Sequence, residues 1–408
     1  MRPFLAKLFL WYAVLHYSYI WLMNHNPYAE HANVVSDDVV AFLILKNAAW
    51  AAVLALVITR WDAERQTLVI HGVLPKAHAG WVLLTTVCML AAAFVKNPLS
   101  LLIDVTNLLA FSFAPILAGP LLPRAEALWS YTRMLRWIAW LVLGIGIYQK
   151  LTGFVGPHFG RIISTLGGPE LLSLFAVFLL GHFIFQFRHA QKTSDTVLAL
   201  AGIGLIAVVQ LYAVTLAGQL LMVLYLILCL CTLRGRTFWL LVLGVCLLAA
   251  GAISSPLFQD TVDKLDGITG GLDHYGRLNE HEMFWSYALQ KAEWHELLIG
   301  VEKEDTKFEN QYYFIAYNYG FIVLLSFLLL LLNALLHGIR AWRRAAAQGS
   351  RMHSDFAFIH LSYFAIILVG SAITPYLASF PINFFAWLSL GIALRLRDLS
   401  ALDERSPA

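Results

Sequence analysis

Apolar positions along this chain fall into long, nearly unbroken runs rather than the one-sided stripes of surface helices. Each run is about 17 to 22 residues, the length a helix needs to cross about 30 Å of hydrocarbon. Twelve spans are expected, near residues 4–22, 39–59, 80–95, 100–120, 134–152, 169–187, 195–213, 217–233, 237–253, 312–337, 355–374 and 378–395. The alternation that marks a membrane barrel is absent, and within lipid every backbone N–H and C=O must find a partner inside the protein, so the spans are read as helices. The expected fold class is all-α, a polytopic membrane helix bundle forming one integral domain over residues 1–408.

One polar segment, residues 254–311, interrupts the series between spans nine and ten. After Ser254-Ser255-Pro256 and a turn-rich stretch with Gly267, Gly270 and Gly271, residues 279–298 show helical periodicity. Phe284, Trp285, Ala288, Leu289 and Ala292 share one face, Glu282, Gln290, Lys291 and Glu293 fall elsewhere, and Gly300 ends the helix. Such a helix would lie along the membrane boundary with Trp285 and Trp294 at headgroup level. The plainer reading is a helix that caps the bundle.

Composition agrees with this pattern: 60% of residues are hydrophobic, 13% are charged and the mean hydropathy is +0.70, which excludes a soluble globule of this length. The cations then orient the spans. Nineteen of the 28 Lys and Arg fall in alternate loops and the two termini, so those are expected on the cytoplasmic side. The other side holds Lys96, Lys150, Arg161 and five cations of the long loop, against twelve loop carboxylates. That loop is therefore expected to face outward, its acidic surface is not a polybasic membrane-adhering patch, and nucleic-acid binding has no support in the sequence. The first span lacks a small-residue cleavage site and is rich in Trp and Tyr, so it is expected to be retained. Cys88, Cys229, Cys231 and Cys246 all fall within spans, away from any set at metal-ligand spacing, and are expected to pack rather than to pair.

In order, Arg277, Trp285, Leu298-Ile299-Gly300, Glu309-Asn310-Gln311-Tyr312 and Tyr319-Gly320 lead into a Leu-rich span. This order resembles the long periplasmic loop of the O-antigen ligase and Wzy-type polymerase superfamily. Upstream, Tyr148-Gln149, Gly160-Arg161 and Thr165-Leu166-Gly167-Gly168-Pro169-Glu170 look like that superfamily's outer loop before a helix start. The resemblance implies a bacterial inner-membrane enzyme, without cofactor or metal, that transfers glycan from an undecaprenyl-diphosphate carrier on the periplasmic side. Its partners would be that lipid-linked glycan, the bilayer, and a chain-length regulator or flippase. Two departures bear on the subtype. Thr215-Leu216-Ala217-Gly218-Gln219 stands where members often carry an arginine, and Glu309-Asn310 stands where ligases usually show His-Asn. The expectation is therefore a polysaccharide polymerase. The alternatives are an O-antigen ligase acting on lipid A core and, from another class, a flippase for lipid-linked oligosaccharides.

A departing diphosphate develops negative charge, and a site without metal must meet it with cations. Arg277, Arg161 and Lys150 are the candidates, because an arginine fork binds phosphate oxygens bidentately. The plainer readings are a loop salt bridge of Arg277 to Asp273 or Glu280 and an ordinary headgroup cation for Arg161. An acceptor hydroxyl needs a base or an orienting carboxylate. Glu309 is the first choice and His281 the second; the plainer reading of Glu309 is a carboxylate favoured by the helix dipole. Trp285, Asn310, Gln311, Tyr312 and Tyr313 are expected to bond or stack on sugars, and Gln219 marks the position without the expected arginine.

Lys46 and Asp104 fall within spans, where charge is costly, and are expected to pair; His16 and His182 are expected to be core histidines. A secondary transporter would show repeated halves with broken helices, which are absent. A flippase would need a cationic passage through the membrane, and Lys46 is the one cation within a span.

Overall fold

The computed structural model describes residues 2–18, 37–62, 67–70, 76–92, 98–152, 162–166, 168–213, 215–230, 276–300, 308–348 and 350–403. The expected ninth span lies outside them. In chain order come α1 (Arg2–Leu15), α2 (Asp37–Ile58), β1 (Thr59–Asp62), β2 (Thr67–Ile70), α3 (Lys76–Ala91) and α4 (Pro98–Leu109). A 3-10 stretch, Ala110–Leu117, continues α4 into α5 (Ala118–Leu121). Then follow α6 (Ala127–Thr152), α7 (Pro169–His189), α8 (Thr193–Ala213), α9 (Leu216–Leu230), α10 (Gly276–Ser286), α11 (Trp294–Ile299), α12 (Gln311–Ala347), α13 (Arg351–Gly370) and α14 (Ile382–Asp403).

Five helical segments among the described residues are long and apolar enough to cross a membrane: Asp104–Leu121, Pro169–His189, Thr193–Ala213, Gln311–Ala347 and Arg351–Gly370. Ile44–Val57, Lys76–Ala91 and Leu216–Cys229 are shorter apolar helical stretches. Among the described residues the architecture is helical apart from one antiparallel ribbon, in which Thr59 faces Ile70 and Asp62 faces Thr67. The expectation of helices alone missed it. Its Thr, Trp, Val and Ile are good strand formers, and the ribbon follows directly on the C-terminal end of α2.

Two helices form the centre. On α7, every residue from Leu172 to Gln186 is buried, and α14 buries Phe384, Phe385, Ala386, Trp387 and Leu388 completely. Helices apolar all round belong in such a position. Outer helices such as α8 and α9 instead expose Leu200, Val208, Leu220, Val223 and Ile227, a surface fit for lipid.

The break after α4 shows how lipid disciplines the backbone. Pro115 lacks an N–H, so the stretch around it tightens into 3-10 geometry and leaves carbonyls without helical partners. Side chains of three other helices take them. Trp50 Nε1 donates to Ala110 O at 2.8 Å, His78 Nε2 to Ser112 O at 3.0 Å and Asn383 Nδ2 to Asn107 O at 2.9 Å. These bonds tie α2, α3 and α14 to the end of α4 and the 3-10 stretch that follows it, as hydrocarbon requires.

Lys46 and Asp104 have separate hydrogen-bond partners. Lys46 donates to Asn107 Oδ1 at 2.8 Å and lies 5.6 Å from the ring centres of Phe111 and Phe380. Asp104, one turn before Asn107 on α4, accepts from the Tyr319 hydroxyl. His16 packs among Tyr12, Tyr17 and Phe380, and His182 bonds Phe178 O at 2.8 Å through Nδ1. Cys229 is buried and Cys88 half-buried, both as free thiols; Cys231 and Cys246 lie outside the described residues.

Candidate functional site

One end of the bundle gathers the last turns of α6, α8 and α13 with the first turns of α7, α9, α12 and α14. Hydrogen bonds link them in two groups, α6 through α9, and α12 with α13 and the approach to α14. Gln149, at the end of α6, accepts from the backbone N–H groups of Ile163 at 3.2 Å and Ser164 at 2.7 Å. Ile162 N donates to Tyr212 O at 3.5 Å, and Lys150 Nζ lies 5.5 Å from the Tyr212 ring. Arg161 lies outside the described residues. Across α7 to α9, Ser173 bonds the Gln210 side chain, Gln210 Nε2 donates to Ser173 O at 2.8 Å, and Gln219 Nε2 donates to Gln210 O at 3.3 Å.

The start of α12 is built by the Glu309-Asn310-Gln311-Tyr312 stretch itself. Asn310 caps the helix, its Oδ1 accepting from Tyr312 N at 3.0 Å and Tyr313 N at 3.2 Å, two N–H groups a helix leaves unpaired. Gln311 is buried; its N–H donates to Ser371 O at 3.0 Å, and its Oε1 accepts from Leu377 N at 3.0 Å. Its Nε2 is left without a hydrogen-bond partner. The Tyr312 hydroxyl donates to Leu368 O at 2.7 Å. Three residues expected to meet sugar are thus spent largely on joining α12 to α13 and the approach to α14. Glu309 precedes the cap and is exposed, where the positive end of α12 favours a carboxylate.

The expected helix over 279–298 is two helices. α10 ends in a π turn, Tyr287–Lys291, after which Ala292 and Glu293 turn extended and α11 begins. Glu293 and Glu296 form a capping box that starts the second helix, and Glu296 Oε2 also accepts from the Tyr287 hydroxyl at 2.9 Å. The local carboxylates therefore override the apolar periodicity that joins the two stretches in sequence.

α10 docks on α12 through Tyr313. Phe284 stacks on its ring at 4.3 Å and 15°, His281 Nδ1 meets its hydroxyl at 2.8 Å, and Trp285 Nε1 donates to the same oxygen at 3.2 Å. Phe308 and Tyr317 close the cluster from behind. A phenol oxygen has room for two donors. In the tautomer whose Nδ1–H donates to Tyr313, His281 keeps Nε2 as a base on the exposed side. Arg277 stands on the first turn of α10, four residues before His281 and so one turn away along the same face. Trp285 is 47% exposed and Trp294 is 74% exposed, which leaves both available to a headgroup or a sugar ring.

Tyr313→Phe should keep the ring stack and lose the shared hydroxyl, loosening α10 by about 1 kcal/mol. Hydrogen exchange over residues 281–286 should rise roughly fivefold in consequence. Unchanged exchange would show that the hydroxyl does not hold the helix.

Leu298-Ile299-Gly300 and Tyr319-Gly320 touch. Gly300 (φ 73, ψ 167) ends α11, and Gly320 (φ 82, ψ 170) kinks α12. A Cβ on Gly300 would fall 2.6 Å from Asn318 O, and one on Gly320 would fall 2.3 Å from Leu298 O. The loop segment thus lies backbone to backbone on the kink, with Tyr319 turned toward Asp104. Sequence reasoning placed both glycines but missed that they meet, and it missed Tyr313 as the hub; an isolated Tyr-Gly inside an apolar run was the available signal for the kink.

Of the expected site residues, the structure brings His281, Trp285, Glu309, Asn310, Gln311 and Tyr312, with the backbone of Arg277, to the head of α12. Lys150 and Gln219 lie on the same end of the bundle, over α6, α8 and α9. Comparison with known protein families finds no family model that matches this chain, and comparison with curated proteins finds no match either.

Proposed function

We propose that this protein is a metal-independent glycosyltransferase that polymerises an envelope polysaccharide from an undecaprenyl-diphosphate-linked donor onto a lipid-linked repeat unit. The observation that carries this reading is the contact between Gly300 and Gly320, which seats a polar loop segment on the head of an apolar helix. Two stretches that support the superfamily resemblance in sequence are thereby neighbours in space, and the segment they anchor bears Arg277, His281 and Trp285 beside Glu309. The topology that goes with the reading has twelve spans, both termini in the cytoplasm of the inner membrane, and residues 254–311 in the periplasm.

In this reaction the acceptor hydroxyl attacks the anomeric carbon as the bond from that carbon to the diphosphate oxygen breaks. Glu309, or His281 through Nε2, takes the hydroxyl proton. Arg277, Arg161 and Lys150 meet the charge left on the undecaprenyl diphosphate. Trp285 and Trp294 offer exposed aromatic faces to the sugars. The donor's polyprenyl chain stays in the bilayer against the apolar exterior of the outer helices, so only the glycan and diphosphate enter the polar end.

Glycan analysis of a strain deleted for the gene tests the assignment. Loss of polymer with accumulation of single lipid-linked repeats is expected; polymer that persists on its carrier but fails to reach lipid A core would make the protein a ligase, and unchanged glycans would overturn the reading. In the same strain, Glu309→Gln should reduce polymer by roughly 10²-fold or more if Glu309 is the base. Polymer equal to that of the parent would assign the proton to His281 or to another group.

A further inference from the structure

At the end of the bundle opposite Lys150, the first turns of α6, the last turn of α7 and the first turn of α8 enclose a cavity of about 250 Å³. Arg133, Arg136 and Lys192 line it as cations, with Asp195 as a carboxylate. Arg136 reaches Asp195 at 3.4 Å, with side chains 20% and 43% exposed, a contact too long and too open to hold against a better anion. His189 also lines the cavity, but its Nε2 meets Asp355 at 3.0 Å, and Arg188 meets that same carboxylate at 3.1 Å. Asp355 is therefore occupied elsewhere, and the cavity keeps an excess of positive charge. α7 ends here and α8 begins here, so their opposed dipoles offset and the field comes from the side chains.

A second feature points to what the charge would hold. Gln186 lines the cavity at 5% exposure and donates through Nε2 to Thr132 O at 3.1 Å, while its Oε1 has no hydrogen-bond partner. A buried acceptor of this kind calls for a donor. Cations beside a lone acceptor suit an oxyanion whose neighbouring group carries a hydroxyl. Trp129 lines the cavity and is itself exposed, and further along α6 Trp137 and Leu141 are exposed as well, so an acyl chain has an apolar surface to follow away from the cations.

We propose that this cavity binds a phosphodiester bearing a free hydroxyl, its phosphate oxygens on Arg133, Arg136 and Lys192 and its hydroxyl donating to Gln186 Oε1. The proposal is independent of the glycosyl-transfer reading. Two sources share this chemistry, the headgroup of a hydroxylated anionic phospholipid and a soluble glycerophosphate ester.

The full chain in nanodiscs of equal phosphatidylglycerol and phosphatidylcholine, followed by native mass spectrometry, tests it. Phosphatidylglycerol should be retained preferentially, and the Arg133→Gln, Arg136→Gln double variant should retain less by roughly fivefold per cation removed. Asp195→Asn, which removes the competing carboxylate and keeps both arginines, should retain more. Glycerophosphoglycerol, added to the soluble phase, separates the sources: displacement of the bound lipid assigns the site to a soluble ester, and undiminished retention assigns it to a headgroup. Equal retention of the two lipids, or a double variant that holds as much phosphatidylglycerol as the parent, overturns the proposal.

Discussion

Gly320→Ala is expected to lift the α10–α11 segment off the head of α12 and to abolish whatever is made there, while the bundle remains inserted. Two costs add. At φ 82 and ψ 170, Gly320 occupies a region open essentially to glycine alone, so a side chain there carries roughly 1–3 kcal/mol of strain. Its Cβ would also fall 2.3 Å from Leu298 O and 2.6 Å from Gly300 N, both backbone atoms that cannot rotate aside. Relief requires that α11 move, and α10 follows through the short π turn. The three atoms nearest a Cβ at Gly320 belong to Leu298 and Gly300, not to the central helices α7 and α14. Gly204→Ala is the control, because a Cβ at Gly204 meets nothing within 4 Å. The measurements are protease cleavage between residues 276 and 300, yield of folded protein from membranes, and polymer length in a complemented deletion strain. A Gly320→Ala variant indistinguishable from Gly204→Ala on all three would remove the crossing from any functional role.

The contrast between what hydropathy placed and what it missed has a physical basis. Spans such as 169–187, 195–213 and 355–374 could be read directly, because a helix in lipid satisfies its own backbone and shows as one apolar run. The runs do not record which helix meets which. Lys46 and Asp104 were expected to pair with each other; instead their hydrogen-bond partners, Asn107 and Tyr319, are polar residues inside apolar runs whose register only packing reveals. The span read over 100–120 runs straight through Pro115, and nothing in it announced that Trp50, His78 and Asn383 would come from three helices to bond its carbonyls.

At the candidate site, residue types were more legible than roles. The Glu309-Asn310-Gln311-Tyr312 stretch stood out by its polarity at the mouth of a span. Asn310 proves to be an ordinary cap, a reading open from the sequence, since asparagine before a helical run is a helix-start signal. Gln311 and Tyr312 bond backbone groups around Ser371, Leu377 and Leu368, contacts that are distant in sequence and left no local trace. The break at Ala292-Glu293 was hidden because apolar periodicity continues through it, whereas the Glu293–Glu296 capping box that makes it depends on side-chain geometry. The two glycines carried the strongest structural information, and each acquires its meaning only from the other.

Arg277→Ala should leave the protein inserted and α10 docked, yet reduce polymer formation by roughly 10²–10³-fold, the cost of removing one preorganised donor from a developing oxyanion. Docking should survive because Phe284, His281 and Trp285 hold the helix to Tyr313, and alanine is a good helix former in the first turn. The chemistry should not, because the position one turn from His281 is where a cation on this segment can stand near both the proton acceptor and the leaving diphosphate. Arg277→Lys separates charge from geometry. A lysine keeps the charge but not the two-pronged fork, so partial activity would identify electrostatics as the main effect and none would identify bidentate recognition. Hydrogen exchange over residues 281–286 should match the parent in both variants, which distinguishes a catalytic loss from an undocked helix. Normal polymer from Arg277→Ala with α10 in place would sink the glycosyl-transfer assignment of this site, since no other cation is placed on the described part of α10 to take over the diphosphate.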